Sequence, residues 1–421
     1  MSQVQLRFLG GTHEVGRISI AVKTEKTQVL LDYGVMLDHR PGFPVHVPPK
    51  EVDAIILTHS HLDHSGAIPI FYIEDKKPLY ANKLTAELSQ ILISDFIHLS
   101  SYYLPFEYLE LKAMIKNAKH IDFGVEERIK DITFQLVNAG HIPGSAQILL
   151  SAEGKKVLYT GDFNLIDTRL LNGAKMQYEE LDAVIIESTY ATEEHAERKE
   201  LEKRFVDEVK DVVERGGTVL IPAFGVGRSQ EIACVLAAHH FEYPVAIDGM
   251  AREASGLMMN YQQYLGDPKL FSTALHGVDW MEGWRDRRRA IRAPGVIISP
   301  AGMLKGGPAM FYTSKIAKKA NNAIFLVSYQ IPGTPGRELL EKGVCTIDGK
   351  MRKVKARVQH FDFSSHCGAS ELKEAVRRLK GNPKIYVVHG AERNCEFFAK
   401  WIKDELSLEA TAPKSGDIFK V

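Results

Sequence analysis

Three histidines and an aspartate fall within six positions of one stretch, Thr58-His59-Ser60-His61-Leu62-Asp63-His64. Neutral imidazole nitrogen and carboxylate oxygen are the ligand types that borderline transition metals prefer, zinc above all. Residues two apart do not share a helix face, so His59, His61 and Asp63 can converge only where the backbone forms a tight loop. The run before them, Val52-Asp53-Ala54-Ile55-Ile56-Leu57, is short, bounded and mostly apolar. Such a run predicts a buried strand that gives way to the cluster. A polar, His-rich surface loop is the bland alternative. It accounts for the cluster but not for the partners found elsewhere in the chain.

Those partners sit at the same kind of junction. Residues 29–31 read as a strand that stops at Asp32-Tyr33-Gly34, and 134–137 lead into Asn138-Ala139-Gly140-His141. Residues 156–159 lead into Thr160-Gly161-Asp162, 183–186 into Glu187-Ser188-Thr189-Tyr190, and 384–388 into His389-Gly390. One polar residue at a strand end is ordinary. Six such ends with metal-competent or ionisable side chains predict one shared site along an edge of sheets. Strand direction is not readable from sequence, so convergence at a single edge is an expectation for the structure to meet. Around these junctions, residues 4–9 and the pair 18–22 and 29–31 read as further strands, the latter as a hairpin. Residues 65–72 are expected to begin a helix, and 84–119 to form helices that cover a sheet.

The middle of the chain has another texture. Residues 197–215 form a charged amphipathic helix closed by Gly216-Gly217, and 218–221 a strand that runs into Pro222-Ala223-Phe224-Gly225-Val226-Gly227-Arg228-Ser229. A Gly-rich turn that opens a helix can cradle an anion, and a simple strand-to-helix turn fits equally well. Strands at 245–247, 296–298 and 324–327 end in Asp248-Gly249, Ser299-Pro300 and Ser328-Tyr329. They imply an α/β layer with its own core. Domain boundaries are expected at 1–191, 192–350 and 351–421, the first and last belonging together. The basic stretch Trp284-Arg285-Asp286-Arg287-Arg288-Arg289-Ala290-Ile291-Arg292, with its aromatic lead, could touch a phosphate backbone but is read first as a solvated helix face, and His239-His240 as a helix C-terminal cap. His13, His98, His120, His195, His276 and His360 are read as structural.

Composition narrows the setting. The chain has 421 residues, more than one ordinary core holds and enough for two domains. Lys+Arg and Asp+Glu are 53 each, so a nucleic acid would have to be held by a local basic groove and not by net charge. Cys234, Cys345, Cys367 and Cys395 form no CxxC pair, which predicts free thiols in a reducing compartment and no cysteine-ligated metal. No uncharged run approaches the ~18 residues of a membrane span. A cytoplasmic location is expected.

The set Asp32, His59-x-His61-x-Asp63-His64, His141 and Asp162 resembles the metallo-β-lactamase superfamily in motif order and strand context. Glu187 in Glu-Ser-Thr-Tyr, His366 in Asp362-Phe363-Ser364-Ser365-His366, and His389 resemble motifs A, B and C of its β-CASP nucleases. Pro222-Ala223-Phe224 through Gly227-Arg228, Ser299-Pro300-Ala301-Gly302-Met303-Leu304 and Tyr329-Gln330-Ile331-Pro332-Gly333-Thr334-Pro335-Gly336-Arg337 narrow it further. They look like the nuclease subunit of the cleavage and polyadenylation specificity factor and its prokaryotic relatives. The resemblance covers nearly the whole chain. In the third motif Ala391 separates His389-Gly390 from Glu392, where the family usually reads His-Gly-Glu.

That resemblance implies a metallo-β-lactamase αββα sandwich with a β-CASP α/β domain inserted in its sequence. It implies two Zn2+, one on His59, His61 and His141, the other on Asp63, His64 and His389, with Asp162 as the shared ligand. Asp32 would orient a ligand imidazole, His366 would protonate the leaving 3′ oxygen, and Glu187 would hold the His366 ring. Arg228, Ser229, Ser299 and Tyr329 are the candidates for phosphate contacts. The implied activity is hydrolysis of single-stranded RNA, as endonuclease or 5′–3′ exonuclease, to 5′-phosphate and 3′-hydroxyl ends in RNA processing or decay. A homodimer or exosome-type RNA-processing partners are the expected company. The resemblance is to the form without N-terminal KH domains, so RNA selectivity is expected from the groove or from partners. Three other functions stay in view: a DNA nuclease of the same family, a noncatalytic RNA-processing scaffold and a small-molecule thioesterase. DNA-repair members generally lack a histidine at the third motif, every expected ligand is present, and a thioesterase needs no insertion of about ordinary domain size.

Overall fold

The computed structural model describes residues 3–37, 41–74, 76–100, 102–331, 333–347 and 349–421. Pro332, within the Tyr329 to Arg337 stretch, lies outside the described residues. The chain divides into two compact units, one of Met1–Asp167, Gly173–Glu194 and Ser365–Val421, the other of Thr168–Asn172 and His195–Ser364. These divisions fall at 194/195 and 364/365, where the sequence places 191/192 and 350/351. The later second division follows from the strand Arg357–His360, which pairs in parallel with Ala323–Leu326 in the sheet of the second unit.

The first unit contains two seven-stranded sheets. One runs in the order Ile418–Lys420, Gln5–Gly10, Ser19–Lys23, Gln28–Leu31, Ala54–Ile56, Leu79–Ala81, Ala118–His120. The other runs Ala410–Thr411, Lys384–Val388, Ala183–Glu187, Lys155–Tyr159, Ala146–Ala152, Ile132–Asn138, Glu126–Ile129. Side chains alternate between the faces of a strand, and these sheets bury both faces. Val29 and Leu31 join Ile148, Leu150 and Ile185 in the core between the sheets. Leu30 and Ile55, one residue out of phase, join Ile93, Phe96 and Met114 of the helices Lys83–Leu99 and Tyr108–Lys116. On the other outer face Val184, Ile186 and Val387 pack with Leu372 and Phe398 of the helices Ala369–Arg377 and Glu392–Leu406. The layers are therefore helix, sheet, sheet, helix, as expected.

Direction, which the sequence left open, is now fixed. Gln28–Leu31 and Ala54–Ile56 are parallel, and so are Lys155–Tyr159, Ala183–Glu187 and Lys384–Val388. Ile132–Asn138 and Lys155–Tyr159 are both antiparallel to Ala146–Ala152, so these two also point the same way. Within each sheet, the strands that lead to candidate residues deliver them to one edge. The expected helix at 65–72 differs. A single α turn, Leu62–Ser65, precedes a 3₁₀ segment, Ile68–Tyr72; in one α-helix begun at Ser65, Pro69 would fall inside and lack the N–H that bonds the Ser65 carbonyl, whereas it is tolerated in the first turn of the separate segment.

The second unit is built on a six-stranded sheet in the order Val278–Trp280, Val245–Ile247, Gly295–Ser299, Thr218–Pro222, Ala323–Leu326, Arg357–His360. Every pairing in it is parallel. Its core gathers Leu220, Ile297 and Ile324 with Tyr312 and Ile316 of the helix Gly307–Ile316. Asp248, Ser299 and Ser328 consequently share the C-terminal edge of that sheet, the side on which open parallel sheets take ligands. Among the described residues no helix is long and apolar enough to cross a membrane.

Backbone hydrogen bonds dock the 32–35 loop on the turn that carries Asp63 and His64. Tyr33 N donates to His64 O at 2.8 Å, Val35 N to Leu62 O at 2.8 Å, and Ile18 N to Asp63 O at 2.9 Å. Gly34 is the point of closest approach, and a Cβ there would overlap the Asp63 carbonyl. Gly34→Ala is therefore expected to destabilise the first unit by at least the ~1–3 kcal/mol typical of overpacking. Thermal unfolding checks this, and a midpoint equal to that of the wild type would show that the two loops are free to separate.

Candidate metal centre

Apart from His366, each candidate of the first unit lies at or beyond the end of a strand of its sheets. Ala54–Ile56 delivers Thr58 and His59, then the chain bends so that His61 precedes the helical turn Leu62–Ser65. His64 N and Ser65 N both donate to His61 O, at 3.0 and 2.9 Å. The tight loop expected for Asp63 is thus an α turn. One step of helix rotation separates the partly exposed Asp63 from the fully buried His64.

The seven side chains converge. Asp162 lies at the middle, with Oδ2 at 3.3 Å from His64 Nε2, 3.6 Å from His59 Nε2 and 3.8 Å from His141 Nε2. Its Oδ1 lies 3.2 Å from His389 Nδ1. His61 Nδ1 is 3.1 Å from His141 Nε2, and Asp63 Oδ2 is 3.4 Å from His389 Nε2. The donor atoms fall into the groups His59, His61, His141 and Asp63, His64, Asp162, His389, each group within 4.8 Å. His59 Nε2, His64 Nε2, His389 Nε2 and Asp162 Oδ1 are buried and make no hydrogen bond. Buried polar atoms left without hydrogen bonds are costly, and nitrogen with carboxylate oxygen is the donor set zinc takes. The residues fit a metal site.

Two of the rings, His64 and His141, are oriented through their other nitrogen. Asp32 accepts hydrogen bonds from Thr58 N and Thr58 Oγ1, both at 2.7 Å, and from Tyr159 Oη at 2.9 Å. His64 Nδ1 lies 2.7 Å from the same carboxylate, which turns its Nε2 toward Asp162. His141 Nδ1 faces Ser365 O at 2.9 Å, leaving Nε2 for the cluster. Thr58 and Tyr159 are contributors that the sequence reading passed over. Their signal was position: Thr58 opens the His motif, and Tyr159 ends the strand before Asp162.

Electrostatics divides the rings. Burial pushes His59 and His141 well below the usual imidazole range and lowers His61, which favours the neutral, ligating form. Burial works the same way on His64, yet the Asp162 and Asp32 carboxylates raise it well above that range. Burial likewise raises Asp162, but the His389 and His64 rings hold it well below the carboxylate range.

His366 stands apart in its bonding. Its Nδ1 meets Glu187 Oε1 at 2.9 Å. Glu187 is fixed by Phe163 N at 3.0 Å and Thr189 N at 3.3 Å. Although burial disfavours the charged ring, the Glu187 and Asp162 carboxylates push His366 up to about 9. The ring centroid lies 4.5 Å from that of His141. Its donors also form a group with His141 and Asp162. Glu392, displaced by Ala391, is the first residue of the helix Glu392–Leu406 and is grouped with His13 and Glu396.

In the second unit, Arg228 and Ser229 open the helix Arg228–Ala238, Ser299 ends the strand Gly295–Ser299, and Tyr329 follows the strand Ala323–Leu326. Gly227 caps the helix Arg228–Ala238, and Ser229 Oγ donates to Phe224 O at 2.7 Å. Ser299 Oγ donates to Pro300 O at 3.1 Å. A phosphate contact would require either hydroxyl to exchange that bond. Tyr329 is 46% exposed. His239 is the C-cap of that same helix and its Nε2 meets Glu202 at 3.2 Å, the capping part expected of it. His195, read as structural, is bound through Nδ1 to Asp362 at 2.7 Å.

Three family models match the chain: a metallo-beta-lactamase superfamily domain over 21–189, a Beta-Casp domain over 229–339, and a Zn-dependent metallo-hydrolase RNA specificity domain over 351–413. Among its relatives, RNase aCSPSF2 of Saccharolobus solfataricus is 41% identical over 98% of this chain and 84% of that protein. A probable RNase, MJ4, of Methanocaldococcus jannaschii is 35% identical over 99% of this chain and all of that protein. The transcription termination factor FttA of the same organism is 35% identical over 99% of this chain and 72% of its own. A solved structure titled as a protein of unknown function from Enterococcus faecalis V583 shares the fold, with a TM-score of 0.64 at 13% identity over the full length of both chains. With relatives so similar along nearly its whole length, the chain belongs to the β-CASP family of the metallo-β-lactamase superfamily.

Proposed function

We propose that this protein is a zinc-dependent ribonuclease that hydrolyses single-stranded RNA to 5′-phosphate and 3′-hydroxyl ends, in RNA processing or decay. The observation that carries the reading is the convergence of seven nitrogen and carboxylate donors around Asp162, with a His366–Glu187 pair beside them. Relatives bearing the name RNase support RNA as the substrate. A scaffold without catalysis would have no use for a complete donor set, and the third-motif histidine that favours RNA over DNA is present as His389.

His59, His61 and His141 would hold one zinc, and Asp63, His64 and His389 the other, with Asp162 serving both. Bound there, two metals supply Lewis-acid stabilisation of an in-line phosphoryl displacement and a nucleophile at neutral pH. The chain supplies the rest. Asp32 fixes the His64 ring through Nδ1 and so aims Nε2. The Ser365 carbonyl does the same for His141. Glu187 holds His366 by Nδ1 and favours its charged form, which leaves Nε2 to give a proton to the departing 3′ oxygen. Arg228, Ser229, Ser299 and Tyr329 would contact phosphates, the two serines only by exchanging their turn bonds.

The purified protein is expected to carry close to two zinc ions, and chelation to abolish RNA cleavage. Metal analysis alongside a cleavage assay checks both, and full activity at one ion per chain contradicts the shared role of Asp162. Cleavage of matched RNA and DNA oligonucleotides tests the substrate class, and RNA labelled at either end separates internal from 5′–3′ cleavage.

Asp162→Ala and His366→Ala should both cripple cleavage, by different routes. Asp162→Ala should lose metal with activity. His366→Ala should keep its zinc and lose about 10²–10⁴-fold in turnover, the usual worth of general acid catalysis. An activated aryl phosphodiester, whose leaving group needs no proton, should recover much of that loss. If His366→Ala arrives depleted of metal, the ring belongs with His141 and Asp162 as a ligand and the acid role falls.

A further inference from the structure

We propose that the helix Trp284–Ala290 of the second unit is a binding platform for single-stranded RNA, on which a base stacks against Trp284 while phosphates engage Arg285, Arg288 and Arg292. The proposal rests on the ribonuclease reading and adds a substrate contact remote in sequence from the metal-competent residues.

The helix is unlike its neighbours in burying none of its residues. A merely solvated face would be polar throughout, yet this one leads with an indole that is 56% exposed. An exposed indole offers a flat apolar face on which a base can stack. Here it is also held still. Its ring stands edge-on to Phe311, with centroids 5.1 Å apart and planes at 84°. The Arg287 guanidinium lies 5.0 Å from the ring centroid.

That guanidinium is itself anchored. Arg287 donates from Nε and Nη2 to the two oxygens of Asp248, at 2.7 and 2.9 Å. Asp248 is completely buried at the end of the strand Val245–Ile247, and Tyr312 Oη donates to it at 2.7 Å. A buried carboxylate with three strong donors is a rigid mount. Side-chain order, which binding otherwise has to supply, is therefore largely present beforehand.

Charge selects the occupant. The nine residues 284–292 hold five arginines and one aspartate. Arg287 is committed to Asp248, and Arg289 lies 3.5 Å from Asp286. Arg285, Arg288 and Arg292 are exposed, and among the described residues none of them forms an ion pair. An apolar protein partner would bury these cations without compensation. A single-stranded polyanion with π faces satisfies both halves of the surface, since bases of any identity stack on an aromatic ring and phosphates pair with arginine.

The test is the affinity of the zinc-loaded protein for a labelled, cleavage-resistant phosphorothioate RNA of about 20 nucleotides, which spans more than one stacking site. Trp284→Ala is expected to weaken binding by about tenfold or more, and Trp284→Phe to restore most of it. Arg288→Ala with Arg292→Ala should flatten the dependence of log affinity on log salt by roughly 0.7 for each phosphate no longer neutralised. Thermal unfolding and zinc content equal to the wild type confirm that the fold is intact; should Trp284→Ala fail to fold, the phenylalanine and arginine variants decide. A wild type that binds and cleaves RNA while all these variants match it in affinity and salt slope overturns the platform alone, and assigns the surface to another partner, such as an acidic protein. A wild type that neither binds nor cleaves RNA removes the ribonuclease reading and the platform together.

Discussion

The whole candidate centre depends on one buried carboxylate. Asp32 has no exposure to solvent, so its charge must be met inside the protein or it would cost several kcal/mol. It is met by the Thr58 amide and hydroxyl, the His64 ring and the Tyr159 hydroxyl. Thr58 and His64 follow the strand Ala54–Ile56 of one sheet of the sandwich, and Tyr159 ends the strand Lys155–Tyr159 of the other. Satisfying Asp32 therefore registers the edges of the two sheets and sets the direction of an imidazole in the same stroke. Its backbone φ of 56° turns the chain sharply out of the strand, a conformation aspartate tolerates better than most residues.

Much of this was legible in the residues. The apolar runs ended where the strands end, and Asp32, His59, His141, Asp162, Glu187 and His389 all lie at or just beyond such ends. The short, mostly apolar run 52–57 was enough to place a buried strand. The ring tautomers were not legible, because they are set by groups distant in sequence: the Ser365 carbonyl is 224 residues from His141. Nor was strand direction, since a parallel and an antiparallel neighbour have the same apolar pattern. The α turn at Leu62 was also missed. A motif rich in histidine and aspartate carries no helical periodicity over so few residues, and local hydrogen bonds to His61 O decide its shape.

The two units illustrate different uses of a strand end. In the first, the ends carry imidazoles and carboxylates whose remaining donor atoms face one another. In the second, Asp248 ends its strand just as Asp32 does and is as deeply buried, but its partners are a guanidinium and a phenol. The same device, a buried carboxylate saturated by donors, orders an imidazole in one unit and an arginine beneath an indole in the other. Sequence position alone does not separate these uses; the charge and kind of the partner does.

The strand Lys384–Val388 lies inside its sheet, between Ala183–Glu187 and Ala410–Thr411, and the sheet opposite is completed by Ile418–Lys420 against Gln5–Gly10. During synthesis from the N-terminus, then, His59, His61, Asp63, His64, His141 and Asp162 are all made while His389, its own strand and the strands Ala410–Thr411 and Ile418–Lys420 are still missing. The chain must be made through Ile418–Lys420 before the sandwich can close around the seventh donor. A nuclease built this way stays incomplete until those late strands are made, next to the very messenger that encodes it.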